Sequence, residues 1–196
     1  MEDPARETAE VRRLVRRAAE LGKDDAVALC FGGFALARVV GDLEGGAALL
    51  DKALNLNPNL GAAWGFSGRV KVYLGDHETA IKHLTHAMRL SPLDPEAFGV
   101  QGSTAYAHYF CGRYHEASVW ADKAVQENPG FLPVIAIAAA SNAMRGEQTR
   151  AKDALLQLQQ IDPALRISNL GDQLYFRRHE DMSILATGLQ KAGLPE

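Results

Sequence analysis

The 196-residue chain is expected to fold as an all-α solenoid of stacked helical hairpins, and three observations predict it. Gly41, Gly75, Gly112 and Gly146 recur at intervals of 34, 37 and 34 residues, and Pro58, Pro92, Pro129 and Pro163 repeat those intervals. Ala53, Ala87, Ala124 and Leu158 keep the same spacing, so three separate positions share one period. Each period reads as two amphipathic helical segments, and no stretch alternates as a strand would. A fixed period of this length marks a repeat architecture, in which each unit buries its apolar face only against its neighbours.

Taken in order, residues 1–4 are expected to be frayed. Residues 5–22 read as a helix with Val11, Leu14, Val15, Ala18 and Leu21 on one face. This segment (5–26 with its link) matches the second half of a unit without its first, which points to a chain cut from a longer array. Repeat one, 27–60, has helices near 26–40 and 43–56 and is the least regular. Phe34 stands where a small residue is wanted, and Gly45-Gly46 opens the second helix. Repeat two, 61–94, has helices near 60–74 and 77–90 and is the best formed: GAAWGFSGRVKVYLGDHETAIKHLTHAMRLSP.

Repeat three, 95–131, has helices near 95–111 and 114–128, the first started by Asp94-Pro95-Glu96. It carries three extra residues. Phe98 keeps the spacing set by Trp64 while Gly112 arrives late, so the insertion is expected inside the first helix, which should project about one turn beyond its neighbours or contain a local irregularity. Repeat four, 132–165, has helices near 132–145 and 147–160. In the remaining 166–196, a short helical turn precedes a helix over 179–191, which is expected to cap the array with a polar outer face.

The residue types fit this scheme. Gly68, Gly102 and Ala139 are small where two helices approach closely, and so are Ala80, Ala117 and Ala151 on the second helices. Trp64, Phe98 and Ile135 are large where one repeat packs on the next. Glycine permits the left-handed helix end, and proline falls just past the second helix, which it cannot continue.

Composition excludes several function classes. A formal net charge of −3 is too near neutral to imply a nucleic-acid or membrane partner. The longest apolar run, Phe131–Ala140, is far short of the roughly 20 residues that span a bilayer. No secretory signal precedes the array, and two cysteines, Cys30 and Cys111, fit a reducing cytoplasm. They read as small apolar side chains, with a disulfide the less favoured alternative. No phosphate-binding loop, nucleophile elbow or zinc-protease motif is present, so neither a catalytic residue nor a cofactor is expected. His83 and His86 lie three apart on one helix without a third ligand, so no metal is expected. Arg12, Arg13, Arg16 and Arg17 alternate with acidic residues and read as a solvated face. Asp24/Asp25 and Glu180/Asp181 read as helix-start carboxylates, and His77 and His108 as solvated or capping residues.

A two-helix repeat of about 34 residues resembles the tetratricopeptide (TPR) family. That resemblance implies a right-handed superhelix of about four helical hairpins, with a lone N-terminal helix and a C-terminal capping helix. The concave side would be lined by the first helices. Positions there include Ala62, Gly65, Arg69, Val72 and Tyr73, with Phe31, Ala35 and Arg38, then Glu96, Gly99, Ser103 and Tyr106, then Ala136, Ala140 and Met144. Phe31, Arg38, Arg69, Tyr73, Tyr106 and Met144 are the candidate partner-binding residues. The Lys and Asn set with which some family members grip a terminal carboxylate is absent. The aromatic cluster Tyr106, His108, Tyr109, Phe110 and Tyr114 reads first as filling for the longer helix and second as an interface.

Further details carry a narrower resemblance. They are Gly32-Gly33-Phe34-Ala35, Leu56-Asn57-Pro58-Asn59-Leu60, Ala62-Ala63-Trp64, Leu90-Ser91-Pro92-Leu93-Asp94-Pro95, the long first helix expected in repeat three, Asn128-Pro129-Gly130-Phe131-Leu132-Pro133, Phe176-Arg177-Arg178 and the ending Lys191–Glu196. Together these resemble the C-terminal repeat region of bacterial class III adenylate/guanylate cyclases and related regulators. The resemblance implies a non-catalytic interaction and regulatory module that binds a protein, a peptide or a second copy of itself. A structural spacer or homodimerisation domain without a separate ligand is the alternative.

Overall fold

The structure is a computed structural model that describes residues 4–176 and 178–196, with side chains from residue 8 onward except at 177. The expected frayed start falls on residues 1–3, outside the described residues, and Pro4 already belongs to α1. The helices are α1 (Pro4–Leu21), α2 (Ala26–Ala35, continued by a π-helical turn Leu36–Val40), α3 (Leu43–Leu56), α4 (Gly61–Leu74), α5 (His77–Leu90), α6 (Ala97–Phe110), α7 (Tyr114–Glu127), α8 (Leu132–Arg145), α9 (Gln148–Ile161), α10 (Leu170–Gln173) and α11 (His179–Ala192). No strand occurs among the described residues. α2/α3, α4/α5, α6/α7 and α8/α9 form four antiparallel hairpins, each stacked on the next, with α1 against α2.

Local chemistry sets the helix ends. Asp25, Asp42 and Asp76 each accept hydrogen bonds from backbone N–H groups in the first turn of the following helix, at 2.8 Å for Asp25 with Val27. Such a cap contributes about 1 kcal/mol. Gly75 and Gly146 end α4 and α8 with φ of 84° and 85°, a conformation that penalises any residue with a Cβ. The core runs as two clusters: Leu29, Cys30, Leu50, Ala63 and Val70 in the first two hairpins, then a larger set from Val72 to Leu194. Both cysteines are free. Burial pushes the Cys30 thiol up to about 11, so near neutrality it stays protonated and serves as a packing group.

Repeat three departs from the expectation. α6 has 14 residues, the same as α4. A Cβ on Gly102 would meet Val134 of the next first helix, as one on Gly65 would meet Val100. Gln101 donates to Glu127 on its own partner helix at 2.6 Å, as Trp64 packs on His83 and His86. α6 is therefore registered 37 residues after α4, and the extra residues fall ahead of Gln101, in the loop after Leu90 and the first turn of α6. The counterpart of Trp64 is Gln101 and that of Gly68 is Ala105; Phe98 and Gly102 hold neither place. Pro95 explains the outcome: Asp94 accepts from the Glu96 N–H and closes a turn ahead of the helix rather than its first turn.

Repeat one has its own shift. Gly33 lies against Gly46 and Leu50, as Gly68 lies against Leu84. The small residue needed at the crossing is therefore present, one place earlier than the 34-residue spacing puts it. The π-helical turn absorbs the extra residue before Gly41. Phe34 is thereby released to the concave side.

The end of the chain caps the array by folding inward. α11 packs chiefly on α8 and reaches α6, instead of continuing the stack beyond α9. Leu185 and Leu189 are fully buried. Tyr109 donates to the Ile184 carbonyl at 3.2 Å, and Gly188 leaves room for that phenol and for Ala140.

Candidate concave groove

The first helices α2, α4, α6 and α8 line the concave side, and the corrected register defines which residues face it. From α4 these are Ala62, Gly65, Arg69, Val72 and Tyr73; from α6 they are Gly99, Gly102, Tyr106, Tyr109 and Phe110. The groove is in two parts that share Arg69.

The open part is a cavity of about 390 Å³ between α2, α4 and the start of α6. Its walls are aromatic and aliphatic: Phe31, Phe34, Phe66, Met88 and Val100. Phe34 and Phe66 stack with centroids 4.2 Å apart, and Phe31 meets Phe66 edge-on at 5.5 Å. Phe31 remains 56% exposed, a large apolar area left to water. Asp94 and Glu96 stand at one edge.

The second part is a narrow cavity of about 60 Å³ lined by Arg38, Arg69, Tyr73, Ser103 and Tyr106. Gln173, Leu174, Tyr175 and Phe176 close it. The Tyr175 ring lies under the Arg38 guanidinium. Phe176 sits among Tyr106, Phe110 and Tyr73, at centroid distances of 4.5, 5.2 and 5.9 Å.

The electrostatics are one-sided at the junction. Arg69 lies over the Phe34 ring at 4.6 Å, and its Nε is buried without an acceptor. Neither Arg38 nor Arg69 forms an ion pair among the described residues. Burial holds the Arg38 guanidinium below its usual range, with Tyr73 opposing and Arg69 adding to that shift. Two partly desolvated cations that face rings but no carboxylate favour an anionic group between them. Burial pushes the Tyr106 and Tyr109 phenols upward, so both act as neutral donors.

Of the residues singled out from the sequence, Arg38, Arg69, Tyr73 and Tyr106 meet in the narrow part and Phe31 in the open part. Met144 stands apart, packed against the core that α11 completes. Phe34, Phe66 and Met88, and the closing Leu174–Phe176, were not anticipated. Tyr106, Tyr109 and Phe110 pack on that closing segment and on α11, not on a lengthened helix. Two surface readings are also corrected. His77 and Asp181 are almost buried and hydrogen-bonded at 3.1 Å, with Arg178 beside them, although 104 residues separate them in sequence. His108 is half-buried: its Nδ1 is out of contact with solvent, and burial lowers its pKa. His83 and His86 pack edge-on to Trp64, and no group of three or more metal-ligating side chains occurs among the described residues. No described helix is long and apolar enough to cross a membrane.

The family description "tetratricopeptide repeat" matches residues 61–92. No curated protein sequence matches the chain. Solved structures do. PilW, a type IV pilus biogenesis factor, superposes with a TM-score of 0.73 at 12% identity, covering 96% of this chain and 82% of PilW. YrrB, a TPR protein with an unusual peptide-binding site, gives 0.63 at 20% identity over 90% of this chain and 91% of YrrB. MamA from Desulfovibrio magneticus RS-1 gives 0.63 at 21% identity over 84% of this chain and 98% of that one. At these identities the likeness is one of fold. Residues 61–92 are thus a tetratricopeptide repeat, and the chain that carries them folds as a TPR solenoid.

Proposed function

We propose that the chain is a non-catalytic protein-interaction module that takes a partner peptide in its concave groove. The observation that carries this reading is Arg69, whose buried Nε lacks an acceptor at the inner end of an aromatic cavity open to solvent. A segment with an aromatic or aliphatic side chain beside a carboxylate fits: the apolar group fills the Phe31–Phe34–Phe66 cavity and the carboxylate reaches Arg69. YrrB, which shares the fold and has a peptide-binding site, supports the same use of it here. The resemblance to cyclase-associated repeat regions supports a signalling protein as the setting, with the cyclase chemistry in another domain.

Peptide display on the immobilised chain tests the proposal. Selected peptides should pair an aromatic with an acidic residue, and Arg69→Glu should weaken them by at least about tenfold, the loss of one charge-assisted contact. Peptides that bind wild type and Arg69→Glu equally would sink the groove assignment. A second reading, self-association, is favoured by the exposed Leu14, Leu21 and Val27 at the α1–α2 edge, which are 52%, 71% and 49% exposed. A concentration-dependent dimer in light scattering that persists in Arg69→Glu would support it instead.

A further inference from the structure

The narrow half of the groove is already filled, and its filler is part of the chain. We propose that Leu174–Phe176 is a tethered occupant of the concave groove, and that a partner gains the Arg38–Tyr106 half only by displacing it. This rests on the groove being the binding surface, and it adds how access to that surface is controlled.

Leu174 is itself buried in the core, and three features make Tyr175 and Phe176 beyond it a ligand-like strap. First, Tyr175 and Phe176 are held in the groove by side chains alone. Tyr175 stacks on Arg38 and Phe176 enters the Tyr73–Tyr106–Phe110 pocket, while the backbone of 175 and 176 makes no hydrogen bond to the groove among the described residues. Such contacts open locally at less cost than a hydrogen-bonded ladder. Second, the polar group at the base of the pocket asks nothing of the strap: the Tyr106 hydroxyl donates to the Pro133 carbonyl at 2.8 Å, within the array. Third, the strap is anchored on both sides. Leu170 is buried in front of it, and α11 behind it is fixed by Leu185, Leu189 and Asp181. The Asp181 carboxylate accepts from His77 Nε2 and from Arg178, whose guanidinium lies in the space left open at Gly75. A displaced strap therefore loops out and stays tethered, and it rebinds at the high effective concentration of an intramolecular ligand.

The experiment uses the full chain and a labelled synthetic peptide of residues 170–176, LGDQLYF, as the probe. In the Tyr175→Ala/Phe176→Ala variant the groove is vacated, and the probe should bind at least about tenfold more tightly than to wild type, where the tether competes. Adding Arg38→Glu should remove that gain. Peptides from the display selection should gain similarly. Circular dichroism and thermal melting check folding. If the double variant fails to fold, Tyr175→Ala alone serves, since Tyr175 is 39% exposed and outside the core. Equal probe affinity for wild type and variant, insensitivity to Arg38→Glu, or no binding to either protein at millimolar probe would overturn the tethered-occupant assignment. Each of these would leave the groove reading to its own Arg69→Glu test.

Discussion

Replacing Leu84 with alanine will lower the stability of the chain by about 3 kcal/mol, within the range for deleting a fully buried leucine side chain. Leu84 has no exposed surface, and its Cγ fills the notch left by Gly68, where a Cβ would come within 2.5 Å of it. The substitution removes the transfer free energy of the lost methine and two methyl groups and leaves a cavity that α4 cannot close. Gly68 offers no side chain to move in, and the neighbouring repeats pin both ends of the hairpin. The loss should appear as a lower urea midpoint at nearly unchanged slope, since the surface exposed on unfolding is almost the same. Leu50→Ala, at the matching place against Gly33, should cost a similar amount. A change below about 1 kcal/mol at Leu84 would mean that the hairpin collapses to fill the hole.

The correspondence between Leu50 and Leu84 shows what the sequence made legible. Second helices begin just after the marker glycines, so Leu50, Leu84, Ala80, Ala117 and Ala151 can be aligned from the 34-, 37- and 34-residue steps of Gly41, Gly75, Gly112 and Gly146. First helices are harder, because two local events shift them. The π-helical turn in α2 moves the small residue from 34 to 33, and the Pro95 turn before α6 moves every α6 position by three. Phe98 looked equivalent to Trp64 because both are aromatic, yet it is Gln101 that faces the partner helix. The groove is less affected: Gly99, Ser103 and Tyr106 line it as expected, with Gly102 added, and Phe34, a misfit by the 34-residue spacing, lines its open part. The strap and its latch were illegible for a different reason. Residues 166–178 occur once, so no periodicity constrains them, and the partners of Tyr175, Phe176 and Asp181 lie in repeats one to three. A helix-start carboxylate such as Asp181 has the same local sequence whether it faces water or is buried against His77.

Gly46→Leu is the other substitution with a large effect, about 3 kcal/mol of lost stability, at the upper end of what overpacking costs. A Cβ at Gly46 would lie 2.6 Å from the Gly33 carbonyl oxygen and 2.7 Å from the Ala37 Cβ, and one at Gly33 would lie 2.8 Å from the Gly46 carbonyl oxygen. Backbone therefore meets backbone where α2 crosses α3, and no side-chain rotation relieves the clash; the helices must separate. Replacing glycine inside a helix would by itself stabilise by up to about 1 kcal/mol, so the net loss measures the cost of that separation. Gly65→Ala is the control. Its nearest neighbour, Val100, would be 3.4 Å away, an ordinary contact, so it should be neutral or slightly stabilising. Because α2 carries Phe31, Phe34 and Arg38, moving it also widens the open cavity and draws Arg38 away from Tyr175. Gly46→Leu should therefore weaken groove peptides several-fold at temperatures where the chain is still folded, whereas Leu84→Ala, on the far side of α4, should lose stability with little change in affinity. Equal affinity losses in the two variants would mean that binding follows global stability and not the placement of α2.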